Sequence, residues 1–415
     1  MVSHCFSELV DEIHGLMKKI RVLRILNRFN LGGPTYNASL LTRYMPDEYE
    51  TMLIGGPNLE DEHDSLHIPH NLGLKPTIIP ELTRSVNVAR DLQALKKIKR
   101  IIKKFKPHIV HTHASKAGAL GRRAAHAMGV PVIVHTYHGH VFDAYFNGLI
   151  SRFYKQVERN LASKTDAIIA LSERQKHDLI VKHKICNEKQ VSILPLGFEL
   201  EKFQLDMDEK RRAFRQKYEL KDDEVAIGII GRMVPIKNHL MFIDAVKNLQ
   251  GMNPGKFKVF IVGDGLTKPL VQERLTEYGM PFSINGHKPE IVHFTSWLKD
   301  IDRVVAGLDI VALSSLNEGT PVSLIEAQAS NCPIVSTRVG GIEDIVIEND
   351  TALLSPSEDD LSLAQNMAKL ISDKSLREKM SKNGSNFVHE RFSYTTMVQN
   401  MHELYQNLLK EKKLI

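Results

Sequence analysis

The stretch Ser314–Ala329, S-S-L-N-E-G-T-P-V-S-L-I-E-A-Q-A, follows the apolar run Leu308–Leu313, which is typical of a buried strand. A Gly-Thr pair then predicts a turn. Pro321 is expected to be the first helical residue, where the missing N–H of proline costs nothing. The free N–H groups at the start of such a helix suit a phosphate. The stretch therefore predicts a strand, a tight loop and a helix that border an anion site.

Two carboxylates flank this predicted anion site. Glu318 lies on the loop and Glu326 on the helix, and together they suit the hydroxyls of a ribose or hexose. The alternative is a solvated loop glutamate and an ordinary helix glutamate near the dipole. Their spacing resembles the E-x7-E motif of retaining glycosyltransferases of the GT-B fold, family 4.

Length and composition favour a soluble protein of two domains. The chain has 415 residues, too many for one ordinary core, and it is 42% hydrophobic and 25% charged. It contains no apolar run that could span a membrane and begins with no basic secretory leader. Cys5, Cys186 and Cys332 lack metal or redox spacing and are expected to be free thiols in a reducing cytoplasm.

Strands alternate with helices along the chain, which predicts an α/β fold with two doubly wound parallel sheets. The first series starts at Val22–Asn27 and ends at Val191–Leu194, and a charged stretch, Glu199–Asp223, separates it from the second. We predict an N-terminal domain over 1–198, a C-terminal domain over 199–392, and a final helical segment over 393–415.

Two cations follow the predicted strand Ala226–Ile230 directly. Arg232 and Lys237 stand five residues apart on a strand-exit loop, where a planar fork of donors and a point charge suit a diphosphate. Solvated surface charge is the alternative. The pattern G-R-x-x-x-x-K-N also resembles the donor-diphosphate motif of family 4.

The resemblance to family 4 covers most of the chain, and L-G-G-P near the start looks like the family's first glycine loop. V-H-T-H-A-S-K-A-G-A-L-G-R and H-T-Y-H-G-H-V-F resemble bacterial members that make surface polysaccharides, and V-G-D-G and F-T-S-W resemble nucleotide-site loops. The resemblance implies a GT-B fold, in which an acceptor-binding and a donor-binding Rossmann-like domain face across a cleft and the last helix crosses back to the first domain. Family members usually carry glycine where Ser296 stands, which bears on the choice of nucleobase.

The resemblance also implies roles for individual residues. Arg232 and Lys237 would bind the donor diphosphate and neutralise the leaving phosphate, Glu318 would hold donor-sugar hydroxyls, and Glu326 the ribose. His138 matches the family's active-site histidine, for which the alternative is a satisfied core histidine. The catalytic set is thus His138, Glu318, Arg232 and Lys237. The donor-binding set is Gly33, Arg232, Lys237, Gly263, Gly265, Trp297, Glu318, Gly319, Thr320, Val322 and Glu326.

No metal or other cofactor is expected. His111 and His113 share a strand face, but two histidines without a third ligand make a poor zinc site. The metal-binding pattern D-x-D at Asp206–Asp208 lies in the charged stretch, which is a poor location for a catalytic metal. His111, His113, His135 and His140 are therefore interpreted as structural or acceptor-side residues.

The segment Arg90–Lys106 predicts an amphipathic helix with a strongly basic face. It is either a solvated surface helix or a docking site for anionic lipid. Nucleic acid is disfavoured, because no binding motif accompanies the patch.

Together with the resemblance to family 4, these patterns favour a retaining glycosyltransferase that moves a hexose-type sugar from a nucleotide diphosphate donor, with UDP preferred, to a lipid-linked or polysaccharide precursor. The expected location is the cytoplasm, at the inner membrane face. The alternatives are another GT-B enzyme, either a nucleotide-sugar epimerase or a phosphorylase, and a non-catalytic nucleotide-sugar-binding subunit.

Overall fold

The computed structural model describes residues 19–29, 33–57, 65–83, 85, 87–138, 148–286 and 290–415. Outside these ranges lie the predicted N-terminal helical extension up to residue 18, Cys5, Leu31 and Gly32 of the L-G-G-P loop, and His140.

The described chain divides into two compact units, Met1–Phe198 with Tyr394–Ile415, and Glu199–Ser393. The first is built on a seven-stranded parallel sheet of order β3-β2-β1-β4-β5-β6-β7. Its strands are β1 Ile20–Arg28, β2 Tyr49–Gly56, β3 Thr77–Ile78, β4 Ile109–His113, β5 Val132–Thr136, β6 Ala167–Ala170 and β7 Val191–Ile193. Its helices up to β7 are α1 Gly33–Tyr44, α2 His67–Asn71, α3 Val88–Phe105, α4 Ser115–Ala127, α5 Gly148–Ala162 and α6 Glu173–His177.

Burial of both sheet faces explains the near-continuous apolar strands of this unit. Every residue of β4 and β5 is buried. The predicted basic helix forms as α3, capped by Asn87, whose side chain accepts the N–H of Arg90. The last helix, α14 (given below), also packs on this sheet, with Met401 and Leu408 in the same core cluster as Ile109.

The second unit has a parallel sheet of order β10-β11-β9-β8-β12-β13-β14. Its strands are β8 Val225–Ile230, β9 Phe257–Val262, β10 Phe282–Ile284, β11 Val292–Ser296, β12 Ile310–Leu313, β13 Ile334–Thr337 and β14 Ala352–Ser355. Its helices are α7 Met207–Lys217, α8 His239–Met252, α9 Lys268–Glu277, α10 Ile301–Gly307, α11 Val322–Ala329, α12 Asp360–Ser372 and α13 Lys374–Phe392, and α14 Tyr394–Glu411 then returns to the first unit.

Three local details differ from the sequence-based expectation. The charged stretch after residue 198 is not merely a separator, because it contains α7, whose Arg211 pairs with Asp309 at 2.6 Å (Nη2 to Oδ1). The edge strand β10 was not predicted, since three residues with serine at the centre carry little strand signal. Helix α11 begins at Val322, with Pro321 as its N-cap in an extended conformation rather than as its first residue.

The strand order of the second sheet determines which of its loops lie next to each other. In the second sheet the chain winds outward in opposite directions from β8 and β12, which are neighbours. A doubly wound sheet binds ligands outside the carboxyl ends of its strands at such a switch point. The loops after β8 and β12 carry G-R-x-x-x-x-K-N and E-x7-E, so the second unit holds both motifs at its switch point.

Candidate functional site

The centre of the candidate site is an ion pair between the loops after β8 and β12. Lys237 Nζ lies 2.5 Å from Glu318 Oε1. Ser315 Oγ donates to the same carboxylate oxygen at 2.6 Å. The Lys237 and Glu318 side chains are only 21% and 10% exposed, so their positions are well constrained. The structure thus brings together two residues that the two sequence motifs supply separately.

Hydrogen bonds to the backbone hold these two loops together. The N–H of Leu316 donates to the carbonyl of Ile236 at 2.8 Å. The buried Ser314 hydroxyl donates to the carbonyls of Lys237 and Asn238 at 3.0 Å each. Because these contacts are made within the protein itself, they hold the ion pair in place, and a fixed charge arrangement is what electrostatic stabilisation of developing charge requires.

A third loop, after β13, closes against Glu318 and Gly319. Gly341 N–H donates to the carbonyl of Glu318 at 3.0 Å. A Cβ on Gly340, whose φ is +57°, would lie 1.9 Å from the same oxygen, and one on Gly341 would lie 1.9 Å from the carbonyl oxygen of Gly319. Sequence reasoning missed this glycine pair, although two glycines shortly after a strand are a signal for close backbone approach.

Arg232 lies on the β8 loop with its side chain exposed. Within the described part of the chain it has no ion-pair partner, whereas Lys237 pairs with Glu318. Beside them, Gly319 is exposed with open space where a side chain would project. The β8 loop therefore offers an unpaired cation next to accessible backbone, an arrangement that suits an anion.

The loops after β9 and β11 also adjoin the β8 loop. A Cβ on Gly263 would lie 2.0 Å from the carbonyl oxygen of Gly231, and one on Gly265 would lie 2.3 Å from that of Met233. Both predicted glycines therefore allow a close approach of loops. Gly263 N–H in turn donates to the carbonyl of Ser296 at 3.0 Å, which fixes the chain just before Trp297, a residue that is 59% exposed.

Ser296 is held in an unusual conformation. Its φ is +54°, the left-handed region that favours glycine. Its hydroxyl donates to Asp264 Oδ2 at 3.2 Å. Lys268 Nζ also lies 2.7 Å from Asp264 Oδ2, and that hydrogen bond is the main reason that the Asp264 pKa is lowered. Ser296, where the sequence pattern led us to expect glycine, therefore adopts a strained backbone conformation, and its side chain has a hydrogen-bond partner in Asp264.

Helix α11 carries Glu326, and Thr320 and Val322 at its start are partly exposed. Burial raises the pKa of Glu326 to about 7, Lys202 opposes this rise and Asp302 adds to it. In the free protein the Glu326 carboxyl is therefore close to half-protonated near neutral pH.

Gly33 and His138 belong to the first unit. Gly33 begins α1, and a Cβ there would lie 3.2 Å from Leu196 Cδ1. His138 follows β5, with Nε2 3.0 Å from His113 Nδ1, and burial lowers its pKa to about 3. His138 is thus a neutral imidazole at the carboxyl edge of its sheet. Among the described residues, no group of three or more His, Cys, Asp or Glu side chains could hold a metal ion.

Two family models match the chain in succession. Residues 32–202 match "Glycosyltransferase Family 4", and residues 210–387 match "Glycosyl transferases group 1". A UDP-Gal:alpha-D-GlcNAc-diphosphoundecaprenol alpha-1,3-galactosyltransferase of Escherichia coli is 30% identical over 340 residues, which are 80% of this chain and 84% of the relative. A capsular polysaccharide biosynthesis glycosyltransferase of Staphylococcus aureus is 27% identical over 81% of this chain and 86% of its own.

Solved structures share the fold. A glycosyltransferase from Rickettsia africae ESF-5 superposes with a TM-score of 0.76 at 19% identity, covering 95% of this chain and 99% of the other. Anabaena HepE in complex with UDP gives 0.74 at 18% identity, covering 93% and 100%. Together with the two parallel sheets, these likenesses identify the fold as GT-B, as predicted from the sequence.

Proposed function

Since this chain belongs to the family 4 glycosyltransferases, we propose that it moves a hexose-type sugar, with retention, from a UDP-sugar to a lipid-linked or polysaccharide precursor. The Lys237–Glu318 pair at the switch point of the second unit is the observation that carries this proposal. The names of two relatives support the donor and acceptor classes, because one uses UDP-Gal and a diphosphoundecaprenol-linked sugar and the other acts in capsule synthesis.

In the proposed reaction the second unit binds the donor. Arg232 and Lys237 contact the diphosphate and neutralise the charge that develops on the leaving phosphate as the glycosidic bond breaks. Glu318 accepts hydrogen bonds from hydroxyls of the transferred sugar, and Glu326 from the ribose. The acceptor hydroxyl attacks on the face that the phosphate leaves, and the departing phosphate takes its proton. The first unit, which carries His138, binds the acceptor.

A nucleotide panel tests the donor site. We expect UDP, but neither GDP nor ADP, to raise the melting temperature of the wild type. A ligand at a hundred times its Kd adds about 2.7 kcal/mol. Arg232→Ala should abolish the shift, because Arg232 is the exposed cation of the β8 loop. A shift with GDP alone would overturn the choice of base, and no shift with any nucleotide would overturn the donor site.

Turnover tests the reaction itself. The enzyme should transfer sugar from a UDP-hexose to a polyprenyl-diphosphate-linked acceptor, with the product in the same anomeric configuration as the donor. The anomeric proton coupling of the first product formed, measured by NMR, decides between retention and inversion. An inverted product would refute the same-face attack while leaving the donor site intact.

The surface of α3 supports the proposal that an anionic membrane carries the acceptor. Val88 and Leu92 are 74% and 53% exposed, and exposed cations follow them along the helix. These cations are Arg90, Lys96, Arg100, Lys103 and Lys104, and among the described residues none of them has an ion-pair partner. None of the described helices combines the length and apolar character that crossing a bilayer requires.

Vesicle sedimentation tests this surface. Reversing Lys96, Arg100 and Lys103 to Glu should weaken binding to vesicles containing phosphatidylglycerol by at least a hundredfold at low salt, at about 1 kcal/mol for each cation. A control with the same charge change reverses three exposed lysines of the second unit, Lys369, Lys379 and Lys382. Equal binding of both variants would refute a specific role for α3.

A further inference from the structure

The carboxylate of Glu318 is held through only one of its two oxygens. Ser315 Oγ and Lys237 Nζ lie 2.6 Å and 2.5 Å from Glu318 Oε1. Each oxygen of an ionised carboxylate accepts about two hydrogen bonds, so these two donors fill Oε1. Oε2 has no hydrogen-bond partner among the described residues, and they do not enclose it. One oxygen of this side chain is therefore bound within the protein, and the other is open to a ligand.

The two donors to Oε1 differ in their surroundings. Ser315 lies two residues after β12 and is 0% exposed, so it has no surface through which to contact a ligand. Its carbonyl accepts the hydroxyl of Thr337 at 2.7 Å, which ties its backbone to the neighbouring strand β13. The Lys237 side chain keeps 21% exposure, and in the proposed reaction it also contacts the diphosphate. Ser315 is thus the donor that remains committed to Glu318 when a nucleotide binds.

Without the serine hydroxyl, the Glu318 carboxylate would be free to turn. The terminal torsion of a glutamate is broad and roughly two-fold, so its two oxygens exchange readily unless a contact fixes them. Lys237 would be the only partner left among the described residues, and a compact ammonium favours neither oxygen. The backbone of Glu318 would stay in place, because its carbonyl still accepts the Gly341 N–H at 3.0 Å. The serine hydroxyl therefore controls the orientation of the carboxylate and not the position of the loop.

We propose that Ser315 is a positioning residue, which holds Glu318 Oε1 so that Oε2 is directed to a hydroxyl of the transferred sugar. Glu318 contacts the substrate, and Ser315 acts through it. This inference rests on the proposed function, since it takes the ligand beside Oε2 to be a sugar. It follows that UDP, which lacks this sugar, should bind with or without the Ser315 hydroxyl, whereas a UDP-hexose should depend on it.

A double-mutant cycle tests the contact between the two side chains without any ligand. Ser315→Ala should lower the melting temperature of the wild type more than that of Glu318→Ala, because the second background has already lost the hydrogen bond. Ser355→Ala is the matched control, since Ser355 is also a buried serine and its hydroxyl accepts from Asn366 at 2.9 Å on a different strand. Its effect should be the same in both backgrounds. Equal effects of Ser315→Ala in the two backgrounds would overturn the proposal.

Calorimetry and turnover then separate the sugar from the nucleotide. Ser315→Ala should bind UDP with a Kd within about threefold of the wild type, but its kcat/KM for UDP-glucose or UDP-galactose should fall about tenfold to a hundredfold, the size of one hydrogen bond to a charged group. Ser315→Cys keeps the shape with a weaker donor and should give an intermediate loss. An equal loss for UDP and for the UDP-hexose would show that Ser315 supports the whole loop, and would overturn the proposal.

Deoxy donors identify the hydroxyl that Oε2 accepts. The kcat/KM of wild type and Ser315→Ala is measured with UDP-hexoses that lack the 2-, 3-, 4- or 6-hydroxyl in turn. When the hydroxyl bound by Oε2 is missing, Ser315→Ala should cost less than about threefold, because the contact that it orients is already absent. With the other analogues the full loss should remain. The same loss with every analogue would contradict a link between Ser315 and a sugar hydroxyl.

Failure of the proposed function gives a different pattern of results. If Ser315 and Glu318 are coupled in the free protein but no nucleotide binds, the proposed function is wrong and the contact with the sugar falls with it. If the chain transfers sugar from a UDP-hexose but Ser315→Ala is as active as the wild type, the proposed function stands and the positioning role of Ser315 is overturned.

Discussion

Glu326→Gln should stabilise the free protein at alkaline pH, although it removes a proposed ligand of the ribose. The folded state raises the pKa of this carboxyl from 4.5 to about 7, chiefly by burial. The folded protein therefore holds a proton between these values that the unfolded chain releases. Stability contributed by the protonated group is present below pH 4.5 and is lost as the pH rises through 7. Glutamine does not titrate, so the difference between variant and wild type appears only above that range.

The size of the effect follows from the pKa difference. Each pKa unit corresponds to ~1.36 kcal/mol, so a rise from 4.5 to about 7 corresponds to about 3.4 kcal/mol at most. Because the side chain is partly exposed, we discount this to about 2 kcal/mol. In a unit of this size, ~1 kcal/mol shifts Tm by about 2–4 °C. Glu326→Gln should therefore raise Tm by roughly 4–8 °C at pH 8.5 and by almost nothing at pH 4.5.

Melting curves of wild type and Glu326→Gln between pH 4.5 and 8.5 measure this difference. Glu273→Gln is the matched control, since Glu273 is an exposed glutamate of the same unit and its substitution should change Tm only slightly. With UDP present the advantage of Glu326→Gln should shrink by about 1.5–3 kcal/mol, because the variant loses a charge-assisted hydrogen bond to the ribose. A Tm difference between wild type and Glu326→Gln that does not vary with pH would refute the reasoning.

Further substitutions test the loops of the second unit. Lys237→Ala should lower kcat by about 10²–10³-fold. As a control, Lys256→Ala breaks an exposed ion pair with Asp223 and should leave steady-state turnover unchanged. Equal kcat values for the two variants would exclude Lys237 from the reaction. Gly340→Ala places a Cβ 1.9 Å from Glu318 O and should abolish UDP binding, while Gly279→Ala, also at positive φ but in open space, should cost only about 1 kcal/mol of stability. Calorimetric titration with UDP compares the Gly340→Ala and Gly279→Ala variants. UDP binding of normal affinity by Gly340→Ala would contradict the close approach of the loop after β13 to Glu318.

Much of the fold was predictable because its strands are apolar runs bounded by glycine, proline and polar residues. Val225–Ile230 and Ile310–Leu313 are buried throughout, and the motifs follow them directly. Edge strands carry less signal, as Phe282–Ile284 shows, because only one side of such a strand pairs. The start of α11 lies one residue after the predicted start, because a capping residue, Pro321, and not the apolar periodicity determines where the helix begins.

The contacts that sequence reasoning could not reach are those between distant segments. Arg24 gives no sign in its strand that it will be buried, and its neighbour Tyr405 lies 381 residues away. The side chain of Lys237 was assigned to the diphosphate, but nothing in its own motif showed that it also pairs with Glu318. Local patterns predict elements and the loops that follow them, whereas a charge partner depends on which loops the sheet order makes adjacent.

At Ser296 the rule that a left-handed backbone conformation favours glycine fails, because a hydrogen bond of the serine side chain compensates for the strain. A left-handed serine costs about 1 kcal/mol relative to glycine, and its hydroxyl donates to Asp264, a hydrogen bond that contributes about the same amount. The net stability is therefore nearly unchanged, yet Ser296 now ties the turn before Trp297 to the loop after β9. Glycine would allow the same turn but could not make the hydrogen bond to Asp264. The serine therefore adds a side-chain hydrogen bond to the backbone hydrogen bond from Gly263 that already holds this turn, and both limit the conformational freedom of the chain just before Trp297.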